Sequence, residues 1–542
     1  MAIFLTGAVA GGWATSATKR ERGHPPPRMH SILTVLLLLL LPAEGWSAIH
    51  YHWVQLIEGK QHKGRFLPKV SVRAIVDHKE ECPDLYATTD LKKDKILFSM
   101  KKRHKQGALD KENRFAEIKV CEHTLQPDDK LLQTFTTGYL ANGSKAIPVL
   151  LPDLSQGGVP LAQLITSGCS GCRDGKAQYC SEQAAREGKK GALPWLYGAM
   201  SGRAATEAGD GIPPLWIHLG DMRYSGQKEG VADSWQRSEG KLGWKEELFE
   251  PTATLLEKSW VVMMRGNHEG CFVPGNDWDK TDWKDRGEGW LYFFGSSEHS
   301  CSQLAKDRHD VLPAFAMDAV IHGGSVAKPQ PTKQQARLMI LDTARTGDGR
   351  DKAKEETRKL YTKQFDWVAE HLPPSGSSTW LFQHIPAYEW NTKKGEAEET
   401  IVTKAVKDSR LHGKWAQVAA VVSAHKHQFN LIRAHSQPTQ ITVGNGGVAL
   451  SGPPGKSCEM AGKGDLLGTV AVGFGYLHAR FAVAGEQVQA TYTTPLFKPE
   501  WGPLQESQRV ACTGTASQAW QPVCPKTTAQ TGCAELASAD ED

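Results

Sequence analysis

The stretch "LWIHLGDMRY", from Leu215 to Tyr224, changes character at one point. It begins with a run typical of a buried β-strand and turns polar at Gly220 and Asp221. The same order follows in "WVVMMRGNHE" (260–269), where an apolar strand leads to Asn267 and His268. Strands that read as continuous apolar runs belong to sheets covered on both faces, so the pattern predicts an α/β fold.

Further apolar runs of the same kind end in polar residues. These runs are "LAQLITSG" before Cys169, "RLMILDT" with Asp342, "TWLFQHIP" with His384, and "VAAVVSAHKH" with His425 and His427. Helices are predicted between them, and the clearest is "DKAKEETRKLYTKQFDWVAEHL", which Pro373 and Pro374 stop. Polar residues that gather at the carboxyl ends of buried strands predict one site along that sheet edge.

The chain divides by pattern into three parts after its first 48 residues. Short β-rich runs without a long helix predict a small all-β domain over 49–150, and "LPDLSQGGVP" (151–160) has the turn residues of a linker. The α/β domain is expected over 151–500. Residues 501–542, with three cysteines and an acidic end, are expected to form a disulfide-held tail.

The N-terminal segment has the order of a secretory signal. Basic residues precede "MHSILTVLLLLLLPAEGWSA" (29–48), whose apolar run is short for a membrane span, and small residues near 45–48 predict cleavage there. A start at Met29 fits this signal better, which would make residues 1–28 an over-long gene start; an uncleaved anchor is the less favoured alternative. No later segment is apolar enough to span a membrane, so a soluble periplasmic or extracellular protein is expected.

Charge and cysteine content narrow the function classes. A net charge of +4 over 542 residues implies no large basic surface, so a nucleic-acid partner is not expected. Eleven cysteines in an exported protein should mostly pair, and the odd number leaves one over. Cys169 and Cys172 form a C-x-x-C, which by itself is compatible with a redox pair, half a zinc site or half of a disulfide.

The residues at the strand ends have the chemistry of a two-metal centre. Carboxylate, phenolate, amide oxygen and imidazole are all ligands for transition metals, and His425 and His427 leave the same face of an extended segment. A lone Gly-Asp is usually a turn, and a lone H-x-H often arises by chance. Here the motifs follow one another in the order strand–Gly-Asp, strand–"GNHE", strand–His and strand–H-x-H. This joint order favours a metal pair that activates water and clamps a phosphoryl group.

In order and spacing, "GDMRY", "RGNHE", "FQHIP" and "SAHKHQF" resemble the motifs of calcineurin-like metallophosphoesterases, over roughly residues 160–450. The G-D-x-x-Y form is similar to that of the purple acid phosphatase branch, and the whole looks like an exported bacterial group whose first motif reads G-D-x-G-C-R. The resemblance implies a β-sandwich flanked by helices in four layers. It also implies two transition-metal ions (Fe, Mn or Zn) and hydrolysis of small phosphate esters by a two-metal-activated hydroxide.

The resemblance also implies a role for each matching position. Asp221 would bridge both metals. Tyr224 and His427 would complete the ligands of the first metal, and Asn267, His384 and His425 those of the second metal. His268 would protonate or stabilise the leaving-group oxygen. Glu269 would orient its neighbours through hydrogen bonds, and Asp342 would support a ligand. Arg223 and Arg265 are candidates for phosphate contacts, although a structural role is favoured for each.

The first motif departs from the family, because "GCSG" (168–171) stands where G-D-x-G is expected and Cys169 replaces the aspartate. Three outcomes are open: thiolate ligation, a weak or absent first metal, or a disulfide that removes the ligand. The family segment implies a Cys172–Cys180 pair, which would leave Cys169 free or metal-bound, the outcome we favour. The alternative to an enzyme is a catalytically weak relative that acts as a binding or surface protein.

Overall fold

The computed structural model describes residues 49–515. The gaps are 63, 88–95, 105–113, 143–144, 174–177, 181–192, 210, 226–232, 239–240, 272–286, 297–298, 307–309, 326–327, 346–350, 374–376, 392–395, 434–436, 452–456, 462–466, 472, 485–486 and 498–505. The predicted signal region 1–48 and the end of the predicted tail, with Cys524 and Cys533, lie outside the described residues. The described part falls in one compact unit.

The strands, in chain order, are β1 (Ile49–His62), β2 (Arg65–Asp77), β3 (Asp84–Ala87), β4 (Ile96–Ser99), β5 (Lys101–Lys102), β6 (Ile118–Leu125), β7 (Thr137–Asn142), β8 (Lys145–Leu150), β9 (Val159–Leu161), β10 (Gln163–Ser167), β11 (Gln178–Tyr179), β12 (Leu193–Pro194), β13 (Leu215–His218), β14 (Trp260–Met263), β15 (Phe315–Ser325), β16 (Lys328–Ile340), β17 (Ser378–Phe382), β18 (Tyr388–Asn391), β19 (Glu396–Glu399), β20 (Val418–Ser423), β21 (Phe429–Arg433), β22 (Thr439–Val443), β23 (Ser457–Ala461), β24 (Leu467–Ala471), β25 (Phe474–Gly475), β26 (Leu477–Ala484), β27 (Gln487–Phe497) and β28 (Glu506–Thr515).

The α-helices are α1 (Lys130–Thr134), α2 (Tyr197–Ala208), α3 (Glu250–Lys258), α4 (Glu288–Phe293), α5 (Cys301–Lys306), α6 (Asp351–His371) and α7 (Ile401–Asp408). A π-helical turn, Lys245–Phe249, leads into α3, and 3₁₀ turns lie at Asn267–Glu269 and His412–Gln417. The predicted long helix is confirmed as α6, which ends two residues before Pro373. No helix in the described ranges is both long and apolar enough to cross a membrane.

Two large sheets contain most of the strands. The first has the order β25-β27-β26-β10-β13-β14-β1-β2-β6-β5, with β28 on β27; the second has the order β23-β24-β21-β22-β20-β17-β16-β15-β9. In the first sheet β10, β13, β14 and β1 run parallel, and in the second β16, β17, β20 and β22 do so. The strands that precede the polar motifs are therefore the parallel centres of both sheets.

Alternating side chains of these central strands build separate cores. Leu215 and Ile217 of β13 share one core with Ile340 of β16, whereas Trp216 packs with α2 and α3 and Met339 packs with α6 and α7. Because successive strand residues point to opposite faces, this division places helices outside each sheet and one apolar layer between the sheets. The predicted four-layer α/β sandwich is confirmed.

In its described residues, the N-terminal segment 49–150 is β-rich with only the short helix α1, and it joins the first sheet. Its strand β1 pairs in parallel with β14, and β2 and β6 continue the sheet outward, while β3, β4, β7 and β8 form a small sheet of their own. Within the predicted linker, β9 pairs with β15 at the edge of the second sheet. The domain boundaries predicted at 150 and 500 stay predictions, and β28 extends the first sheet into the segment expected to be a tail.

Candidate metal centre

The polar motifs meet where the parallel strands of both sheets end. Cys169 follows β10, Asp221 follows β13 and Asn267 follows β14, so these three come from the first sheet. His384 follows β17 and His425 follows β20, so these two come from the second. Because each group lies just beyond the carboxyl end of its strand, the sandwich brings residues far apart in sequence to one edge.

The backbone is unusual at three of these positions. Among the described residues, the non-glycine residues with positive φ are Cys169 at 51°, Asp221 at 58° and His425 at 65°. The left-handed region is disfavoured for side chains with a Cβ, and such conformations persist where the surrounding structure enforces them. Each of the three residues is thus turned sharply at its strand end, and all three belong to the predicted centre.

Asp221 lies at the middle of the cluster. Its Oδ2 accepts a hydrogen bond from Tyr224 Oη at 2.8 Å, and it lies 3.2 Å from His384 Nε2 and 3.8 Å from Cys169 Sγ. Its Oδ1 accepts the backbone N–H of His268 at 2.9 Å. Ligand atoms of Cys169, Asp221 and His384 all lie within 4.8 Å of one another, which is the spacing expected of groups that share a metal ion.

Asn267 and Tyr224 connect the remaining histidines to the middle of the cluster around Asp221. The Oδ1 of Asn267 lies 3.0 Å from His384 Nε2 and 2.9 Å from His425 Nδ1. The hydroxyl of Tyr224 lies 3.2 Å from His427 Nε2. Two ligand groups therefore adjoin Asp221, one with Tyr224 and His427 and the other with Asn267, His384 and His425. All seven predicted ligands are brought together.

His268 packs against Tyr224 and is less buried than Asp221. Its ring centroid is 4.0 Å from that of Tyr224, and its side chain is partly exposed whereas Asp221 is fully buried. A group that is to exchange a proton with a bound ligand needs this kind of access. The geometry fits the role that the resemblance implies for His268.

Glu269 holds two motif loops together. Its carboxylate accepts four backbone N–H groups, from Asp221 and Met222 at 2.7 Å, from Gly266 at 2.9 Å and from Arg223 at 3.1 Å. Gly266 packs so closely that a Cβ there would lie 2.1 Å from Asp221 Oδ1. Glu269 thus contacts both motif loops from a fully buried position.

Two buried positioning residues were missed by the sequence reasoning. Glu247 accepts the backbone N–H groups of Cys172 at 2.7 Å and of Tyr224 at 2.8 Å, and so joins the first and second motif loops. His218 contacts Ser170 Oγ at 2.8 Å and accepts the Gly220 N–H. His218 interrupts an apolar strand, which is a usable sequence signal, whereas nothing marks Glu247 within its helical run.

The charges of the centre depend on one another. Burial opposes ionisation of Asp221, but the neighbouring His384 and His268 outweigh it and hold the pKa of Asp221 well below its usual range. Burial raises the pKa of the Cys169 thiol well above its ordinary value, and Asp221 raises it further. Burial and Asp221 likewise raise the pKa of Tyr224. A bound cation is what would favour the ionised thiol and phenol, and the donor set fits a transition metal.

The two arginines near the motifs have buried acidic partners. Arg223 is paired with Asp233. Arg265 binds Asp310 at 2.7 Å and Asp342 at 2.5 Å, and Asp342 also accepts the Leu312 N–H at 2.8 Å. Both guanidinium groups are buried and neutralised, so the structural alternative fits their geometry and a phosphate contact does not. Asp342 thus contacts Arg265, the residue before the GNHE motif, and its support of a ligand stays a prediction.

The cysteines of the C-x-x-C have different partners. Cys172 is bonded to Cys180, as the resemblance implies, while Cys169 is free and buried. Two further disulfides join Cys82 to Cys121 and Cys271 to Cys301. The favoured outcome, a Cys169 outside any disulfide, is therefore confirmed, and the alternatives of a redox pair and of a disulfide at Cys169 are excluded, because the backbone turns Cys169 inward toward Asp221 and leaves Cys172 to close the next loop.

Residues 203–429 match the family model for calcineurin-like phosphoesterases, a segment that includes every predicted ligand except Cys169. No curated protein matches the chain. Among solved structures, the chain is similar to GAP50, the anchor in the inner membrane complex of Plasmodium (12% identity, TM-score 0.32, 70% of this chain and 96% of that one). It is also similar to a dimetal phosphatase from Danio rerio (13%, 0.34, 66% and 99%). At these TM-scores we base no conclusion on either likeness.

Proposed function

We propose that this chain is an exported, metal-dependent phosphoesterase that hydrolyses a small phosphate ester with two transition-metal ions. The observation that carries the proposal is the convergence of the other six predicted ligands around Asp221, from five strand ends in two sheets. The family match of residues 203–429 supports the phosphoesterase class. Three disulfides support folding in an oxidising compartment, and hence export.

Cys169, Asp221, Tyr224 and His427 would hold the first ion, and Asp221, Asn267, His384 and His425 the second. When bound, such a pair activates a water molecule and offsets the charge of a phosphoryl group. The protein's part is to hold these donors in place through Glu269 and Glu247. His268, which is partly exposed beside Tyr224, would give a proton to the leaving-group oxygen.

Cys169 favours a second candidate, a catalytically weak binding protein. Its thiol is completely buried and its pKa is raised, so thiolate ligation requires a cation strong enough to displace the proton. A thiolate bond of about 2.3 Å is also longer than an oxygen bond of about 2.0–2.2 Å, which suits a soft ion such as Zn²⁺. Loss of the first ion would leave the second ligand group intact.

Metal analysis of protein purified without added metal should find close to two ions per chain. The same protein should cleave a generic aryl phosphate, and His268→Ala should lower kcat by roughly 10²–10⁴-fold with the metal content unchanged. His412→Ala, at an exposed histidine outside the cluster, serves as the matched control. Metal content near zero, with no activity before or after Cys169→Asp, would overturn the enzyme proposal. Activity that appears only in Cys169→Asp would identify a degenerate enzyme.

A further inference from the structure

His425 presents its two ring nitrogens to different partners. Nδ1 lies 2.9 Å from Asn267 Oδ1, on the side of the proposed metal ligands. Nε2 lies 3.9 Å from Oε1 of Glu389, on the opposite side of the ring. A histidine that binds a metal through one nitrogen needs a proton on the other, and the partner of that second nitrogen selects the tautomer.

Glu389 is held near His425 by its own strand. The preceding residue, Tyr388, donates its N–H to Gln440 Oε1 at 2.8 Å and accepts Gln440 Nε2 at its carbonyl at 2.7 Å. Gln440 belongs to β22, which pairs with β20, the strand that leads into His425. The hairpin β18–β19 is therefore fastened to the same sheet as the histidine.

Lys426 pairs with one carboxylate oxygen of Glu389, and the other oxygen remains available to His425. The Nζ of Lys426 lies 3.2 Å from Glu389 Oε2, so this ion pair uses a different carboxylate oxygen from Oε1, the one 3.9 Å from His425 Nε2. The side chain of Glu389 is 25% exposed and that of His425 is 22% exposed. A carboxylate with this freedom closes a 3.9 Å gap by a small rotation, or bridges it with one water.

We propose that Glu389 is a positioning residue for His425: its Oε1 accepts the Nε2–H and so directs the Nδ1 lone pair toward the metal side. The inference rests on the proposed function and adds to it a residue from outside the four motifs. Partners of this kind fix the ring orientation and tautomer of a ligand histidine, and their loss costs about 10–100-fold in metal affinity.

The test is titration of metal-free protein with Zn²⁺ alone, followed by equilibrium dialysis and metal analysis. In Glu389→Ala we expect one of two equivalents to bind about 10–100-fold more weakly, while the other is unchanged. Glu389→Gln keeps an acceptor oxygen and should lose less than Glu389→Ala. Glu399 lies on the same hairpin but pairs with Lys407 rather than with a predicted ligand. Glu399→Ala is therefore the matched control and should bind both equivalents normally.

Thermal unfolding of the metal-free forms separates positioning from a general structural role. The four proteins should unfold at the same temperature. The inference is overturned if Glu389→Ala binds both equivalents as tightly as Glu399→Ala. It is also overturned if Glu389→Ala loses both equivalents together with metal-free stability. If the unmodified protein binds no Zn²⁺, the proposed function and this inference are overturned together. If the unmodified protein binds Zn²⁺ normally and Glu389→Ala binds it equally well, only this inference is overturned.

Discussion

The loops that carry the residues of the centre are held in place by buried carboxylates that accept backbone N–H groups. Glu269 accepts N–H groups from both the Gly-Asp loop and the GNHE loop, and Glu247 does the same for the loops that carry Cys172 and Tyr224. A buried carboxylate with this many donors fixes the loops in place. The left-handed backbone of Cys169 and Asp221 depends on this support.

Glu269→Gln is expected to destabilise the fold and to release metal. The glutamine amide must turn its NH₂ group toward two of the four backbone N–H donors, which leaves them unpaired in a buried site. Each unsatisfied buried donor costs about 1–3 kcal/mol, so the loss for two donors should be on the order of 2–6 kcal/mol in unfolding free energy. Denaturant unfolding measures it, with exposed Glu81→Gln as control. Equal stability of the two variants would contradict this role of Glu269.

At the scale of elements, the short central strands and their turns decide where the ligands stand. β13 and β14 have only four described strand residues each, yet both are buried and both end at a motif. In the second sheet, α7 packs on the outer face, and its N-terminus lies beside the chain that follows His384. Thr400 makes this connection, because it donates to the Pro386 carbonyl at 2.7 Å and caps α7 through the Val402 N–H.

Thr400→Ala should therefore lower the unfolding free energy by about 1 kcal/mol, since a lost N-cap costs roughly 0.5–2 kcal/mol. Thr400→Ser keeps the hydroxyl and should stay within a few tenths of the unmodified protein. Chemical denaturation of the two variants side by side measures the difference. If serine costs as much as alanine, the cap is not what Thr400 contributes.

At the scale of the whole molecule, a charged network ties the N-terminal segment to the rest of the first sheet. Glu122 of β6 pairs with Arg73 of β2 at 2.9 Å and with Arg103 at 3.4 Å. Arg73 also donates to the carbonyl of Phe293 at 2.7 Å, at the end of α4. Burial opposes ionisation of Glu122, but the two arginines outweigh it and lower its pKa to about 2.

Stability should consequently fall in acid. A carboxyl whose pKa is depressed in the folded state stabilises the fold at pH values above its ordinary pKa of 4.5. It loses that contribution as the pH falls toward about 2. The difference in unfolding free energy between the unmodified protein and Glu122→Gln should therefore shrink by on the order of 3 kcal/mol between pH 5 and pH 2. Exposed Glu117→Gln should show no such change. A difference independent of pH would rule out this ionisation.

The sequence by itself determined the α/β class and the strand ends at which the candidate site lies, while the seven ligand assignments rest on the family resemblance and stay predictions. Apolar periodicity and side-chain chemistry are local properties, so they can be recognised from a single chain. It also predicted the helix α6, whose pattern lies within one continuous segment.

Only the tertiary structure decided which groups meet across long separations. Gln55 donates to the carbonyl of Phe294, 239 residues away, and this pairing is part of the reason that the N-terminal strands continue the first sheet. The supports Glu247 and Glu389 likewise depend on how loops and strands from distant segments are placed together. Cys169 is free because the turn after β10 points it at Asp221, which is a consequence of the pairing of β10 with β13 in the first sheet that no local pattern records.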